Sequence, residues 1–215
     1  RERERDRQEM HLEERKGVET EREKGGVGYR KMALLLCCSL IMAGSFFLFE
    51  LPSSTAVYLK DHFSITAAQY SLTHTVVAFM GIFCPSLLGL LTVRFRLGPV
   101  FIGATVCVCL SQLLQWVSAD MADANYPLYL LARALFGTVI DVMFSFSETL
   151  ILTGFTGPAQ AVAYSVVVFV CRMASCLSYT LIPGVATDLG LVGTLRVTLT
   201  VSMLILPLVV TALMV

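Results

Sequence analysis

Six stretches of the chain, roughly 33–51, 69–92, 98–118, 127–151, 160–182 and 191–214, are apolar over about the ~20 residues needed to cross the hydrocarbon core of a bilayer. In that medium every backbone amide must find its partner within the protein, and a helix does so within each segment. The expected fold is therefore all-α and membrane-embedded, with a bundle of six transmembrane helices over 32–215 behind a charged cytosolic tail over 1–31. The zero net charge hides this division. Residues 1–31 hold 19 of the 32 charged side chains, and the other 184 residues hold only 13. The tail alternates in sign and offers no apolar face, so it is predicted to be disordered or a lone solvated helix.

The ends of the apolar runs carry helix punctuation. Thr66-x-x-Gln69 reads as a capping box at the start of the second span. Gly98-Pro99, Pro127 and Gly157-Pro158 open the third, fourth and fifth. Short connections predict that helices adjacent in sequence pack antiparallel. Gly81, Pro85 and Gly89, four residues apart, predict a small-residue packing face on the second helix. All seven cysteines fall inside spans, so neither a disulfide framework nor a zinc site is expected. With 1–31 ahead of the first apolar run, the first span is expected to act as its own targeting signal. Residue 1 is Arg and Met32 directly precedes that span. The chain is accordingly read as a piece of a longer protein or an extended gene product.

Charges within the spans point to function. Asp141 lies near the centre of the fourth span and Arg172 near the centre of the fifth. An ionised group at that depth costs ~3 kcal/mol on insertion scales, so such residues pair with one another or line a polar cavity. At ~1.5 Å per residue the two should share a depth, and antiparallel neighbours would bring carboxylate and guanidinium into contact. A structural ion pair is one reading. The other is a site where a zwitterion's two ends replace the partners. Further candidates are Arg133, about two turns from Asp141 and ~80° round the helix, Glu148, two turns the other way on nearly the same face, and His74 in the second span. No Gly-x-Ser-x-Gly, His-Glu-x-x-His or phosphate-binding glycine loop occurs, so an enzyme is not expected, nor is any cofactor, metal or nucleic acid.

Six spans with a charged second loop resemble one half of a major facilitator superfamily transporter. Within it, Gly44-Ser45-Phe46-Phe47-x-Phe49-Glu50-x-Pro52 is similar to the first-helix signature of the lysosomal dipeptide transporters, in which Asp takes the place of Glu50. Lys60 and Gln69-Tyr70 fit the segment that follows. Arg133-x-x-Phe136-Gly137, then Asp141, then Arg172-x-x-Ser175 follow the same pattern, and the resemblance covers roughly residues 40–190. It implies an amino-terminal six-helix half of a secondary transporter that moves a dipeptide by alternating access, with Asp141 and Arg172 holding the amino and carboxyl ends. Here the acid is Asp where the family has Glu. The superfamily's Gly-x-Leu-x-Asp-Arg gating loop corresponds to Gly89 through Arg94, with Val93 at the acidic position, which implies a weaker outward-facing lock.

Implied partners are a small zwitterionic substrate, membrane lipid and a carboxyl-terminal six-helix half, with a second copy or an accessory subunit as further candidates. The implied location is a multi-pass protein of the lysosomal or vacuolar membrane, with the plasma membrane as the alternative. Two other readings stay open: a carrier of another organic anion or amino acid, and a six-span interaction protein that transports nothing.

Lys/Arg excess marks cytoplasmic loops. Arg94 and Arg96 flank one side, whereas Asp120, Asp123 and Asp188 mark the other. In a functional background with the native cysteines replaced, Phe95→Cys is expected to label from the cytosol and Ala122→Cys from the opposite side. The reverse pattern would invert the orientation.

Overall fold

The computed structural model describes residues 28–95 and 97–214, so the tail assignment over 1–27 lies outside the described residues. Helix α1 spans Gly28–Phe49, starting five residues before the apolar run predicts. It is followed by α2 (Leu51–Ser54), α3 (Ala56–His62), α4 (Ala67–Arg94), α5 (Leu97–Asp120), α6 (Tyr126–Gly154) and α7 (Pro158–Met214). Four helices, α1, α5, α6 and α7, are long and apolar enough to cross a membrane. The described residues are thus all-α, and their long apolar helices fit a membrane protein.

The 57-residue α7 is two helical arms joined at Gly190, whose φ of 69° and ψ of −179° belong to a region that essentially only glycine occupies. Contacts on either side show that the chain reverses there. In the first arm the Arg172 guanidinium lies 5.8 Å from the Phe46 ring centroid, Ser178 Oγ donates to the Phe47 carbonyl at 3.3 Å and the Tyr179 hydroxyl to Glu50, so this arm runs parallel to α1. In the second arm Cys109 Sγ donates to the Ser202 carbonyl at 3.4 Å and Leu213 lies against Gly98, so that arm runs antiparallel to α5.

The predicted punctuation is in place. The Thr66 amide donates to Gln69 Oε1 at 2.9 Å and the Gln69 amide to Thr66 Oγ1 at 3.3 Å, which satisfies two otherwise orphaned groups at the start of α4. Asn125 caps α6 by accepting from the Leu128 amide at 3.0 Å, with Pro127 in the first turn. The segment read as the loop 52–68 departs from expectation, because α2 and α3 fold within it. Leu51, Leu59 and Phe63 are buried there with Ala119, Tyr129, Ile182 and Leu195, so an apolar cluster at that end of the bundle holds these short helices.

Antiparallel packing of sequence neighbours holds for α5 and α6, where Thr105 Oγ1 lies 3.5 Å from Met143 Sδ and the Phe101 and Phe146 rings are 5.4 Å apart. It fails for α4, which packs mainly along α6 in the parallel sense. Residue numbers climb together along that pair: the Tyr126 hydroxyl donates to the Gln69 carbonyl at 2.6 Å, Gly137 meets Val77, and Asp141 meets Gly81. Gly137 sets the approach, because a Cβ there would lie 2.8 Å from both the Cα and the carbonyl oxygen of Val77. The predicted small-residue face on α4 works at Gly81, where a Cβ would meet the Asp141 carboxylate.

A Cβ against backbone cannot be accommodated by a rotamer change. Gly137→Ala is therefore expected to destabilise the bundle by ~1–3 kcal/mol, whereas Gly103→Ala, which faces open space, should be neutral or stabilising by up to ~1 kcal/mol. Thermal unfolding in detergent measures both. Equal behaviour of the two variants would contradict the close approach.

Candidate functional site

Asp141 and Arg172 share a depth but do not pair. The Tyr164 hydroxyl donates to Glu148 Oε1 at 2.8 Å and fixes the antiparallel register of α6 against the first arm of α7. Seven residues back along α6 and seven on along α7 put Asp141 opposite Cys171, one residue from Arg172. The depth expected from sequence is therefore met. The contact is not: among the described residues no ion pair joins the two side chains, and both are exposed on the body of the bundle.

An aromatic ring of α1 lies near both residues. Phe46 packs edge-on against Phe144 of α6 with centroids 5.8 Å apart, and the Arg172 guanidinium carbon lies 5.8 Å from the Phe46 centroid. One aromatic side chain thus borders both charges. On the α6 side a cavity of about 140 Å³ is lined by Phe46, Phe49, Ile140, Asp141 and Phe144. The Asp141 carboxylate reaches this position because Gly81 of α4 has no side chain, and a Cβ on Gly81 would collide with Asp141 Oδ2. A carboxylate set among aromatic rings is suited to a cation. A guanidinium one ring away, free of a carboxylate partner among the described residues, is suited to an anion.

The other candidates lie elsewhere. Arg133 is 0% exposed, and none of its three guanidinium nitrogens has a hydrogen-bond partner among the described residues. Its guanidinium carbon sits 5.1 Å from the centroid of Phe136. The antiparallel register of α5 and α6, taken ten residues on from Thr105 and ten back from Met143, puts Gln115 at the depth of Arg133. Gln112, Gln115, the Tyr129 hydroxyl and Trp116 also carry buried polar atoms without partners among the described residues. Arg133 therefore belongs to a buried polar layer nearer the α2–α3 end and does not reach the cavity lining. That it is the most deeply buried charge among the described residues is not evident from spacing, which gives its angle around α6 but not which neighbours close over it.

Glu148 is occupied by Tyr164, about two turns from Asp141 toward the other end. His74 Nε2 is 3.2 Å from the Tyr70 hydroxyl, which donates to the Pro52 carbonyl at 3.2 Å, while Lys60 Nζ stands 4.6 Å from the Tyr70 ring. That cluster fastens the start of α4 to α2 and α3. Glu50, just past α1, accepts from the Tyr179 hydroxyl at 2.8 Å and so ties α1 to the first arm of α7. Gly89, Val93 and Arg94 lie in the last turns of α4, and only residues 95 and 96 connect it to α5. The Val93 side chain lies outside the described residues, and Arg94 is exposed. Among the described residues no three His, Cys, Asp or Glu side chains come together to hold a metal ion.

The aromatic residues of the cavity are what spacing arguments missed. Phe46 and Phe49 stand out in the sequence only as part of the first-helix signature and Phe144 not at all, and the packing of α1 on α6 gathers the three with Asp141 around one cavity.

A buried charge without a partner is destabilising, and an apolar residue of similar volume commonly replaces it with a gain of ~1–4 kcal/mol. Arg133→Met is expected to raise the thermal stability of the purified protein by an amount in that range. A loss of ~3 kcal/mol or more would mean that the guanidinium is paired in the resting state.

No family model matches this chain, and no curated protein matches it.

Proposed function

We propose that this bundle is one six-helix half of a secondary transporter of the major facilitator type, and that it carries a dipeptide or a related small zwitterion. The observation that carries the reading is the placement of Asp141 and Arg172. They lie at one depth, on the exposed side of the bundle, unpaired, with Phe46 between their surroundings. Two opposite charges left apart in an apolar medium favour a ligand that brings both counter-charges, and a zwitterion does. A simple organic anion would use Arg172 and leave Asp141 unanswered.

Support also comes from the helix arrangement. Let α1, α4 and α5 exchange places with α6 and the first and second arms of α7. The parallel pair of α1 with the first arm maps onto the parallel pair of α6 with α4. The α5–α6 contact maps onto that of the second arm with α1, where Ile205 lies 3.0 Å from a Cβ on Gly44. The antiparallel pair of α5 with the second arm maps onto itself. This exchange relation is what an inverted-topology repeat of three helices produces. Counting six spans in this way takes α4 and both arms of α7 as crossings.

In this reading the exposed side bearing Asp141 and Arg172 is where the second six-helix half docks, and rocking of the halves alternates access to a site near mid-membrane. The lysosomal or vacuolar membrane is the compartment that the resemblance suggests. Binding places the ligand ammonium at Asp141 and its carboxylate, bidentate, on Arg172.

Blocked ligands on the whole protein test this. Acetylation of a dipeptide's amino end, or amidation of its carboxyl end, should each weaken binding by about tenfold or more, ~1.4 kcal/mol. Asp141→Asn should then cost the free dipeptide much and the acetylated one little, and Arg172→Ala should behave likewise toward the amidated one. If both blocked ligands bind as well as the free dipeptide, the assignment falls.

A further inference from the structure

We infer that the cavity between α1 and α6 is a quaternary-ammonium subsite: an aromatic cage of Phe46, Phe49 and Phe144, bounded by the Asp141 carboxylate, that takes an N-methylated amine as readily as a primary one. The inference rests on the reading of Asp141 as the group that faces a ligand's ammonium end, and it specifies the chemistry of that end.

Ring geometry comes first. Phe49 is inclined 56° to Phe46 at a centroid distance of 6.4 Å, and Phe144 is inclined 63° to it at 5.8 Å. Rings inclined in this way do not stack face to face, and all three line one cavity. A cation within about 6 Å of such faces is attracted by the ring quadrupoles, and aromatic cages of this kind recognise choline and methylated lysine. The volume, about 140 Å³, is close to that of the ~150 Å³ apolar cavities that accept a benzene-sized guest. A trimethylammonium head is of comparable bulk.

Polarity of the lining decides between ligands. Among the described residues the cavity is lined by three Phe, one Ile and Asp141, and these side chains supply one carboxylate and otherwise apolar surface. A primary ammonium brings three N–H donors and finds one acceptor group among these side chains. A trimethylammonium brings none, satisfies the charge of Asp141, and buries its methyl groups against the rings. The site therefore selects for positive charge with apolar bulk and is indifferent to the number of N–H groups. Gly81 is the positioning residue, because its missing side chain lets the carboxylate reach the cavity.

The test uses the whole protein in detergent and three dipeptide-like probes: glycyl-alanine, its N,N,N-trimethyl form, and 3,3-dimethylbutanoyl-alanine, which keeps the carboxylate but carries an uncharged tert-butyl head (the uncharged isostere), with tetramethylammonium as the bare head group. The trimethyl form is expected to bind within about threefold of glycyl-alanine, and the uncharged isostere at least about tenfold more weakly. Phe144→Leu should weaken the trimethyl form and tetramethylammonium by roughly 5–30-fold and leave the uncharged isostere unchanged. Should that variant fail to fold, the comparison of charged and uncharged probes on the unmodified protein decides alone. Equal binding of those two probes would overturn the cage. So would binding of glycyl-alanine that depends on Asp141 and Arg172 while the trimethyl form fails to bind, an outcome that leaves the transport reading intact. Tetramethylammonium binding that depends on Phe144 and Asp141, with no binding of glycyl-alanine, would support the cage and remove the dipeptide reading. Binding of none of the four overturns both.

Discussion

Charge in hydrocarbon is the constraint on which the rest of this structure depends. The body of the chain carries few ionised groups, and each one within the long helices has had to be covered, paired or turned outward. Glu148 accepts a tyrosine hydroxyl, Arg133 is enclosed against Phe136, and Asp141 and Arg172 are turned toward the exposed side. The helix packing follows from these solutions. The parallel pairing of α4 with α6 at Gly137 and Gly81 sets the Asp141 carboxylate in place, and α1 packs on α6 so that Phe46 lines a cavity with Asp141 and lies 5.8 Å from the Arg172 guanidinium.

Much of the fold was legible in the sequence because hydrocarbon thickness and helix chemistry leave few choices. Apolar run length gives the helices within a few residues, and Thr66, Gln69, Pro127 and Pro158 mark their starts by local hydrogen bonding or a fixed φ. The shared depth of Asp141 and Arg172 follows from the rise per residue. What run length does not contain is the lateral arrangement of helices, since lipid-facing and protein-facing apolar residues look alike in sequence. The expected ion pair failed for that reason: its two helices are neighbours in the chain, yet a side chain of α1 borders both charges. The helical character of α2 and α3 escaped for a related reason, because their burial comes from Ala119, Tyr129 and Ile182, far away in the chain.

The two arginines show why depth alone does not identify a site. Arg133 and Arg172 each lie over a phenylalanine, at 5.1 and 5.8 Å. One is sealed inside the bundle and the other is open. A ligand reaches an arginine of the second kind without disrupting helix packing, whereas the first requires the helices to separate. The same contrast separates the exposed Asp141 from the buried layer of Gln112, Gln115 and Tyr129.

The central claim is that the side bearing Asp141 and Arg172 faces an aqueous, ligand-accessible pathway and not lipid. Ser145 is exposed one turn beyond Asp141, and its hydroxyl donates to the Asp141 carbonyl at 3.0 Å. Labelling of Ser145→Cys in the whole protein, with the native cysteines replaced, tests the claim most directly. A charged, membrane-impermeant thiol reagent should react there, and a bound dipeptide should slow that reaction. Reaction only with an apolar, lipid-soluble reagent, unaffected by dipeptide, would place this face against the bilayer and contradict the account.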